Sequence, residues 1–432
     1  MTESANLLKR SKLDSILDSA ANQLACFGVG TSSLPEIAAC MGLTRSALYY
    51  YAKSKEDLVY QVYRRSCELL VMIAGQARTS SPSALARLEQ FVRSAILRPD
   101  IDIISLNELG MLEPSLQAEL AKSHDIAVAA IAAILEEGMA NKEIRPCNPD
   151  VSARAVISIV EQLCLVKAWT RTDAAISPMV GASPDLAELC DGTVDLMLNG
   201  WLSDRSRKID LAIADFEQLI APAARAFDRE GQAKAKREEL LVTASRLFNF
   251  QGVSSTTLDD IASALGITKR SIYHHVGDKQ TLLSACHQRA RNFTRYIYED
   301  YQQRVTSGEC PATAYANYLR GNALAHLRQD LAPIRLARGT AELREEDKLA
   351  YIDFVEWLAE ATMTQLNLMA QASTLRPINV EAFSWAQIGS VNWLVTNVEA
   401  PPREKMIGLA CEVIDVLMLG FRPIDKRLAL SE

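Results

Sequence analysis

Two short stretches hold residues whose types and spacing suit nucleic-acid chemistry. The first is Thr44-Arg45-Ser46, followed by Tyr49-Tyr50-Tyr51 and Lys55; the second is Thr268-Lys269-Arg270, followed by Tyr273-His274-His275 and Lys279. Arginine and lysine can donate to guanine edges, and aromatic rings can touch thymine methyls. Hydroxyls, lysines and capped helix N-termini suit phosphate oxygens. Three consecutive tyrosines cannot all be buried on a helix, which turns about 100° per residue, so some of these rings face outward. Other chemistries fit poorly. Adjacent His274 and His275 diverge on a helix and no Cys, Asp or Glu completes a metal set. No Ser-His-Asp spacing, glycine-rich phosphate loop or paired carboxylates stand out, so neither catalytic residues, nor metal ligands, nor a cofactor are expected.

The elements around both stretches are alike. Residues 27–59 align without a gap to 251–283 at a fixed offset of 224, pairing Gly28/Gly252, Ile37/Ile261, Gly42/Gly266, Thr44/Thr268, Tyr49/Tyr273 and Lys55/Lys279. Leu13, Ile16, Leu17, Ala20 and Leu24 follow the amphipathic-helix pattern. Ser33 with Glu36, and Thr257 with Asp260, read as capping boxes opening a second helix. Gly42 and Gly266 make a turn, and Thr44 and Thr268 cap a third helix with Leu48 or Ile272 inward. That order is a helix-turn-helix, whose second helix enters the major groove N-terminus first. Lys9, Arg10 and Lys12, and Lys234, Lys236 and Arg237, precede the two modules as basic arms. In all, Ser33, Thr44, Arg45, Ser46, Tyr49, Tyr50, Tyr51 and Lys55 are candidate DNA contacts in the first module. Thr257, Thr268, Lys269, Arg270, Tyr273, His274, His275 and Lys279 are those in the second.

Both modules resemble the DNA-binding domain of the tetracycline-repressor (TetR) family of bacterial transcriptional regulators. The family pattern is close to T-x-x-x-I-A-x-x-x-G-[VI]-[ST]-x-x-x-[LI]-Y-x-[HY]-F-x-x-K-x-x-L. Ser33, Ile37-Ala38, Gly42-Leu43-Thr44, Leu48-Tyr49-Tyr50-Tyr51, Lys55 and Leu58 follow it with Ser33 for Thr and Leu43 for Val, as do Thr257, Ile261-Ala262, Gly266-Ile267-Thr268, Ile272-Tyr273-His274-His275, Lys279 and Leu282. Ala52 and Val276 stand where the family has phenylalanine, which leaves that core position looser or filled from the next helix. The resemblance implies an all-α fold with a helical regulatory domain behind each module. It further implies a ligand pocket there, a four-helix dimer interface, and an operator released when a small molecule binds.

The duplication covers the whole chain, since VDLMLNGW (194–201) returns as IDVLMLGF (414–421), offset by 220. Two TetR-like units in tandem, packed as an intramolecular pseudo-dimer, are therefore expected, with further self-association of the fused chain left open. The boundaries are 1–60 (first module), 61–203 (first regulatory domain), 204–233 (a helical linker), 234–284 (second module) and 285–432 (second regulatory domain). The recognition segments differ, which points to a double-stranded operator with two unlike half-sites. Trp169, Trp357, Trp385 and Trp393 suggest an aromatic-lined pocket for an apolar effector, with Glu161 (beside Lys167), Trp169, Asn392 and Trp393 as candidate contacts.

Composition sets limits. A chain of 432 residues exceeds one comfortable core. It is 49% hydrophobic and 23% charged with net charge −7, so any nucleic-acid contact is local rather than general. Nine scattered cysteines argue against a disulfide framework. The start, MTESANLLKR, lacks the apolar core of a secretory signal, and the longest apolar run is too short for a membrane span, so a cytoplasmic protein is expected. The rival reading is a helical ligand-sequestering or protein-interaction protein that has lost DNA binding.

Overall fold

The computed structural model describes residues 3–30, 32–98, 103–106, 108–170, 185–220, 228–335, 339–396 and 402–424. Among them, α-helices fall into two sets of eight in the same order. The first set is α1 (Glu3–Phe27), α2 (Leu34–Cys40), α3 (Arg45–Tyr49), α4 (Lys55–Ser80), α5 (Ala84–Ile96), α6 (Pro114–Ala140), α7 (Pro149–Thr170) and α8 (Leu186–Asn199). The second is α9 (Arg229–Gln251), α10 (Leu258–Leu265), α11 (Lys269–His275), α12 (Lys279–Thr306), α13 (Pro311–Leu327), α14 (Glu345–Gln371), α15 (Val380–Asn392) and α16 (Arg403–Leu419). The chain is all-α and duplicated, as its sequence implies. No helix among the described residues is long and apolar enough to cross a membrane.

By contact the chain divides into two compact units, 1–194 with 379–389 and 195–378 with 390–432. Copies and units are therefore not coextensive. The first unit includes most of α15, whose Gly389 carbonyl accepts from Ser158 of α7 at 2.7 Å. Its head buries Ile16, Leu17, Leu24, Ile37, Leu48 and Leu58 in one cluster that also takes Ile104, Leu112 and Leu120 from the regulatory part.

The second unit has an equivalent head core of Leu240, Leu241, Phe248, Ile261, Ile272 and Leu282, joined by Ile334 and Leu343. It also holds the end of α8 beside the end of α16. There the backbone bonds are reciprocal. Trp201 N–H donates to Leu417 at 3.0 Å and Leu202 to Met418 at 3.2 Å, while Phe421 donates to Met197 at 2.9 Å and Arg422 to Leu198 at 3.0 Å. Each residue and its copy 220 positions on make the same bond in opposite directions, the mark of an isologous contact. Behind it lies a ring cluster, with Tyr315 edge-on to Trp201 at 5.8 Å and nearly parallel to Tyr318 at 5.8 Å.

The helical linker expected over 204–233 is corrected. Residues 204–215 carry no helix, Phe216–Leu219 form one 3-10 turn, and 221–227 lie outside the described residues. The cause is capture of the segment's own carbonyls by side chains. Asn317 Nδ2 donates to the Asp210 carbonyl at 3.0 Å, and Tyr296 Oη to that of Asp215 at 2.6 Å. Those acceptors are what an α-helix would need for itself. Phe216 is buried and its ring lies 5.4 Å from that of Phe293, fixing the turn.

Candidate nucleic-acid interface

In both heads the caps form as the sequence predicts. Ser33 and Glu36 make a reciprocal capping box, as do Thr257 and Asp260. The bond from Ser33 holds the Glu36 carboxyl below its ordinary range. Gly42 and Gly266 both take φ +63, a left-handed turn that a β-carbon would strain. Thr44 Oγ1 then accepts from Ala47 N–H, and Thr268 Oγ1 from Ser271 N–H, starting α3 and α11. Leu48 and Ile272 are fully buried. With those side chains inward, Thr44, Arg45, Ser46, Tyr49 and Tyr50 are exposed on one head. Thr268, Lys269, Arg270, Tyr273 and His274 are exposed on the other.

The rings behave as matched pairs. Tyr50 is edge-on to Tyr51 with centroids 5.1 Å apart, and His274 packs against His275 at 5.2 Å. Tyr50 is 67% exposed, whereas Tyr51 is half-buried against the head core. In the tyrosine pair one ring thus anchors and the other projects; in the histidine pair His275 is half-buried and His274 exposed. Ala52, at the missing phenylalanine, is buried and Val276 packs against its own core, so both positions are closed.

The heads differ at their leading cation. Arg45 donates to Tyr49 Oη at 3.0 Å and lies 5.3 Å from the centre of that ring. Lys269 instead pairs with Asp259 of α10 at 2.8 Å, and that carboxylate raises the ammonium's pKa.

Lys55 and Lys279, expected at phosphates, are turned to a second task. Lys55 Nζ donates to the Gly30 carbonyl at 2.8 Å and Lys279 Nζ to the Ser254 carbonyl at 3.3 Å. Each ties the start of the long fourth helix of its set to the loop before the capping box. Burial lowers the Lys279 pKa. The basic residues preceding the modules sit on helices α1 and α9 rather than on separate arms; Lys12, Lys234, Lys236 and Arg237 are exposed, and the Lys9 and Arg10 side chains lie outside the described residues.

The candidate effector contacts are divided between the two compact units. Glu161 and Trp169 belong to the first unit, Asn392 and Trp393 to the second. Glu161 Oε1 lies 3.4 Å from His124 Nε2, while Lys167 on the same helix donates to the Arg98 carbonyl at 2.6 Å. Trp169 is edge-on to Trp385 at 5.8 Å. Trp393 begins a 3-10 turn, and the Asn392 carbonyl accepts from Arg335 at 2.8 Å. A groove of about 520 Å³ in the second unit is lined by Leu211, Ile213, Phe216, Leu324, Arg328 and Ile407, none of them among the four.

Residues 16–62 and 240–286 each match the family model for bacterial regulatory proteins of the tetR family. Among curated relatives, the HTH-type transcriptional regulator AcrR of Shigella flexneri is 30% identical over 144 residues, covering 33% of this chain and 60% of that protein. The HTH-type transcriptional repressor KstR2 of Mycolicibacterium smegmatis is 32% identical over 84 residues, covering 19% and 40%. The chain thus spans 60% and 40% of the length of these two relatives, less than two thirds of either. A solved TetR family transcriptional regulator, PfmR from Thermus thermophilus, aligns at 21% identity over 42% of this chain and 97% of its own, with TM-score 0.35.

Proposed function

We propose, from the premise that this chain is a tetR-family regulatory protein carrying the family's helix-turn-helix domain twice, that it regulates transcription by reading a double-stranded operator with two covalently joined heads. The observation that carries this reading is the repeated exposed edge. Thr44, Arg45, Ser46, Tyr49 and Tyr50 stand on one buried Leu48, and Thr268, Lys269, Arg270, Tyr273 and His274 on one buried Ile272. Cations and aromatics at the front of a capped helix are what direct readout of a major groove requires. The two edges differ in sequence, so the operator has two unlike half-sites. Repression, relieved by a small apolar effector bound among the regulatory helices, is the proposed outcome, with the two copies paired as a pseudo-dimer. The reciprocal bonds between 197–202 and 417–422 support that pairing. Glu161, Trp169, Asn392 and Trp393 remain the proposed effector contacts.

A mobility-shift titration with the DNA upstream of the protein's own gene tests the reading. Affinity should fall steeply with salt, as phosphate contacts demand, and the paired change Arg45→Ala with Lys269→Ala should weaken it without loss of helicity. Absence of binding at low salt would favour the ligand-sequestering or protein-interaction role instead. A footprint whose half-sites are identical and equally sensitive to base changes would sink the asymmetric operator.

A further inference from the structure

Asp259 sits in the first turn of α10, on the helix before the reading helix, yet its Oδ2 reaches Lys269 Nζ at 2.8 Å. Among the described residues of the first head no carboxylate pairs with Arg45. The position 224 residues earlier is Pro35, and Arg45 folds over Tyr49 on its own helix. The carboxylate is not needed for the cap, because Asp260 alone completes the capping box with Thr257. Both members of the pair are open to water, the side chains being 45% and 68% exposed, so packing does not fix the pair in place.

We infer that Asp259 is a specificity-determining residue of the second head, holding Lys269 back from DNA and placing a negative charge at the reading edge. This rests on the DNA-reading function proposed above and adds a ranking of the two heads to it. For Lys269 to meet a phosphate or a guanine edge, its bond to Asp259 must open. The freed carboxylate then stays at the reading edge, where its charge opposes that of the phosphates over the Debye length of roughly 8 Å at physiological salt. Exposed ion pairs are weak, so opening this one costs about fivefold or less in affinity, with the repulsion added. The second head therefore binds its half-site more weakly than the first and releases it first as salt rises. Only a site that offers Lys269 a better acceptor than Asp259 is bound well, which narrows the sequences this head accepts.

The test uses the full chain and a duplex that the wild-type chain selects from a random-sequence pool. Its two half-sites are assigned by their response to Arg45→Ala and to Lys269→Ala, and each is then scrambled in turn. Asp259→Asn should tighten binding about 3- to 10-fold on the duplex that keeps only the second half-site. It should also steepen the salt dependence there by up to about 0.9 in slope, the value of one more neutralised phosphate. The duplex that keeps only the first half-site should be unaffected. The reciprocal Pro35→Asp, acceptable in a helix first turn, should weaken binding to the first half-site alone. If the wild-type chain binds but Asp259→Asn leaves affinity and salt slope unchanged, or weakens binding, the inference is overturned while the DNA-reading function stands. If the wild-type chain selects no duplex at all, that function falls and the inference with it.

Discussion

A β-carbon built on Gly420 would lie 2.4 Å from the backbone nitrogen of Gly200, and one built on Gly200 would lie 2.4 Å from the Met418 carbonyl oxygen. The two glycines occupy the same place in the two copies, with φ of +62 and +70. Each is required twice over, by a left-handed backbone and by the closeness of the other's strand. Gly420→Ala and Gly200→Ala should each cost about 2–4 kcal/mol, combining strain at positive φ with overpacking. Urea unfolding of the two variants measures this. Because the contact is reciprocal, the two losses should match within about 1 kcal/mol.

Arg344 ties the second head to the helices behind it. Its Nη2 lies 3.2 and 3.3 Å from the two Asp278 oxygens and 2.9 Å from Thr281 Oγ1, at the N-cap of α12. The bond from Thr281 and the charge of Arg344 both hold the Asp278 carboxyl below its usual range. Ser254 and Glu342, 2.6 Å apart, add a second tie. The first copy has Glu113 at the N-cap of α6, the place that Arg344 holds before α14, and so has no arginine there. Arg344→Ala should therefore loosen only the second head. Global stability should change by under about 1 kcal/mol, as for an exposed pair, while amide exchange in α10 and α11 quickens and that in α2 and α3 does not.

Leu48 and Ile272 each hold a helix of only five or seven residues, and both are fully buried. Truncation to alanine should cost about 2–4 kcal/mol by the usual transfer and cavity terms. Such short helices have little stability of their own. Leu48→Ala should therefore abolish protection of α3 amides and Ile272→Ala that of α11, each leaving the other head protected.

His326, half-buried in α13, has its pKa pushed down from near 6.5 to about 4, by burial first and by the Arg335 charge second. The neutral ring is favoured in the fold. Its contribution is thus complete above about pH 6.5 and lost as pH falls toward 4, where the unfolded chain binds a proton that the folded chain refuses. The loss should be less than about 3 kcal/mol. His326→Gln should flatten the decline of the urea midpoint across that window and leave the midpoint at pH 7.5 nearly unchanged.

What is legible in the sequence is what is local. The caps at Ser33, Thr44, Thr257 and Thr268 depend on a partner three residues away, and each forms. The inward Leu48 and outward Tyr49 and Tyr50 follow from helical periodicity alone. The bonds that redirect Lys55 and Lys279 reach back 25 residues, and that from Lys269 reaches 10, distances at which periodicity carries no signal. The segment 204–215 departs from its expected helix for the same reason, since the Asn317 and Tyr296 side chains that straighten it come from 107 and 81 residues further on. Glu161 and Lys167 share one helix, yet their partners His124 and Arg98 lie on other segments, which helical spacing does not reveal.

The repeat at a 224-residue offset also bears on heredity. A regulator assembled from separate subunits can mix a faulty copy with a sound one, so a single bad allele spoils sound protein. Two heads on one polypeptide are made together in a fixed ratio. Under the proposed function, a chain with a damaged reading edge leaves its sound sisters intact. Lesions at Arg45 or Lys269 should then be recessive in a cell carrying both alleles, where the same lesion in a two-chain regulator is often dominant.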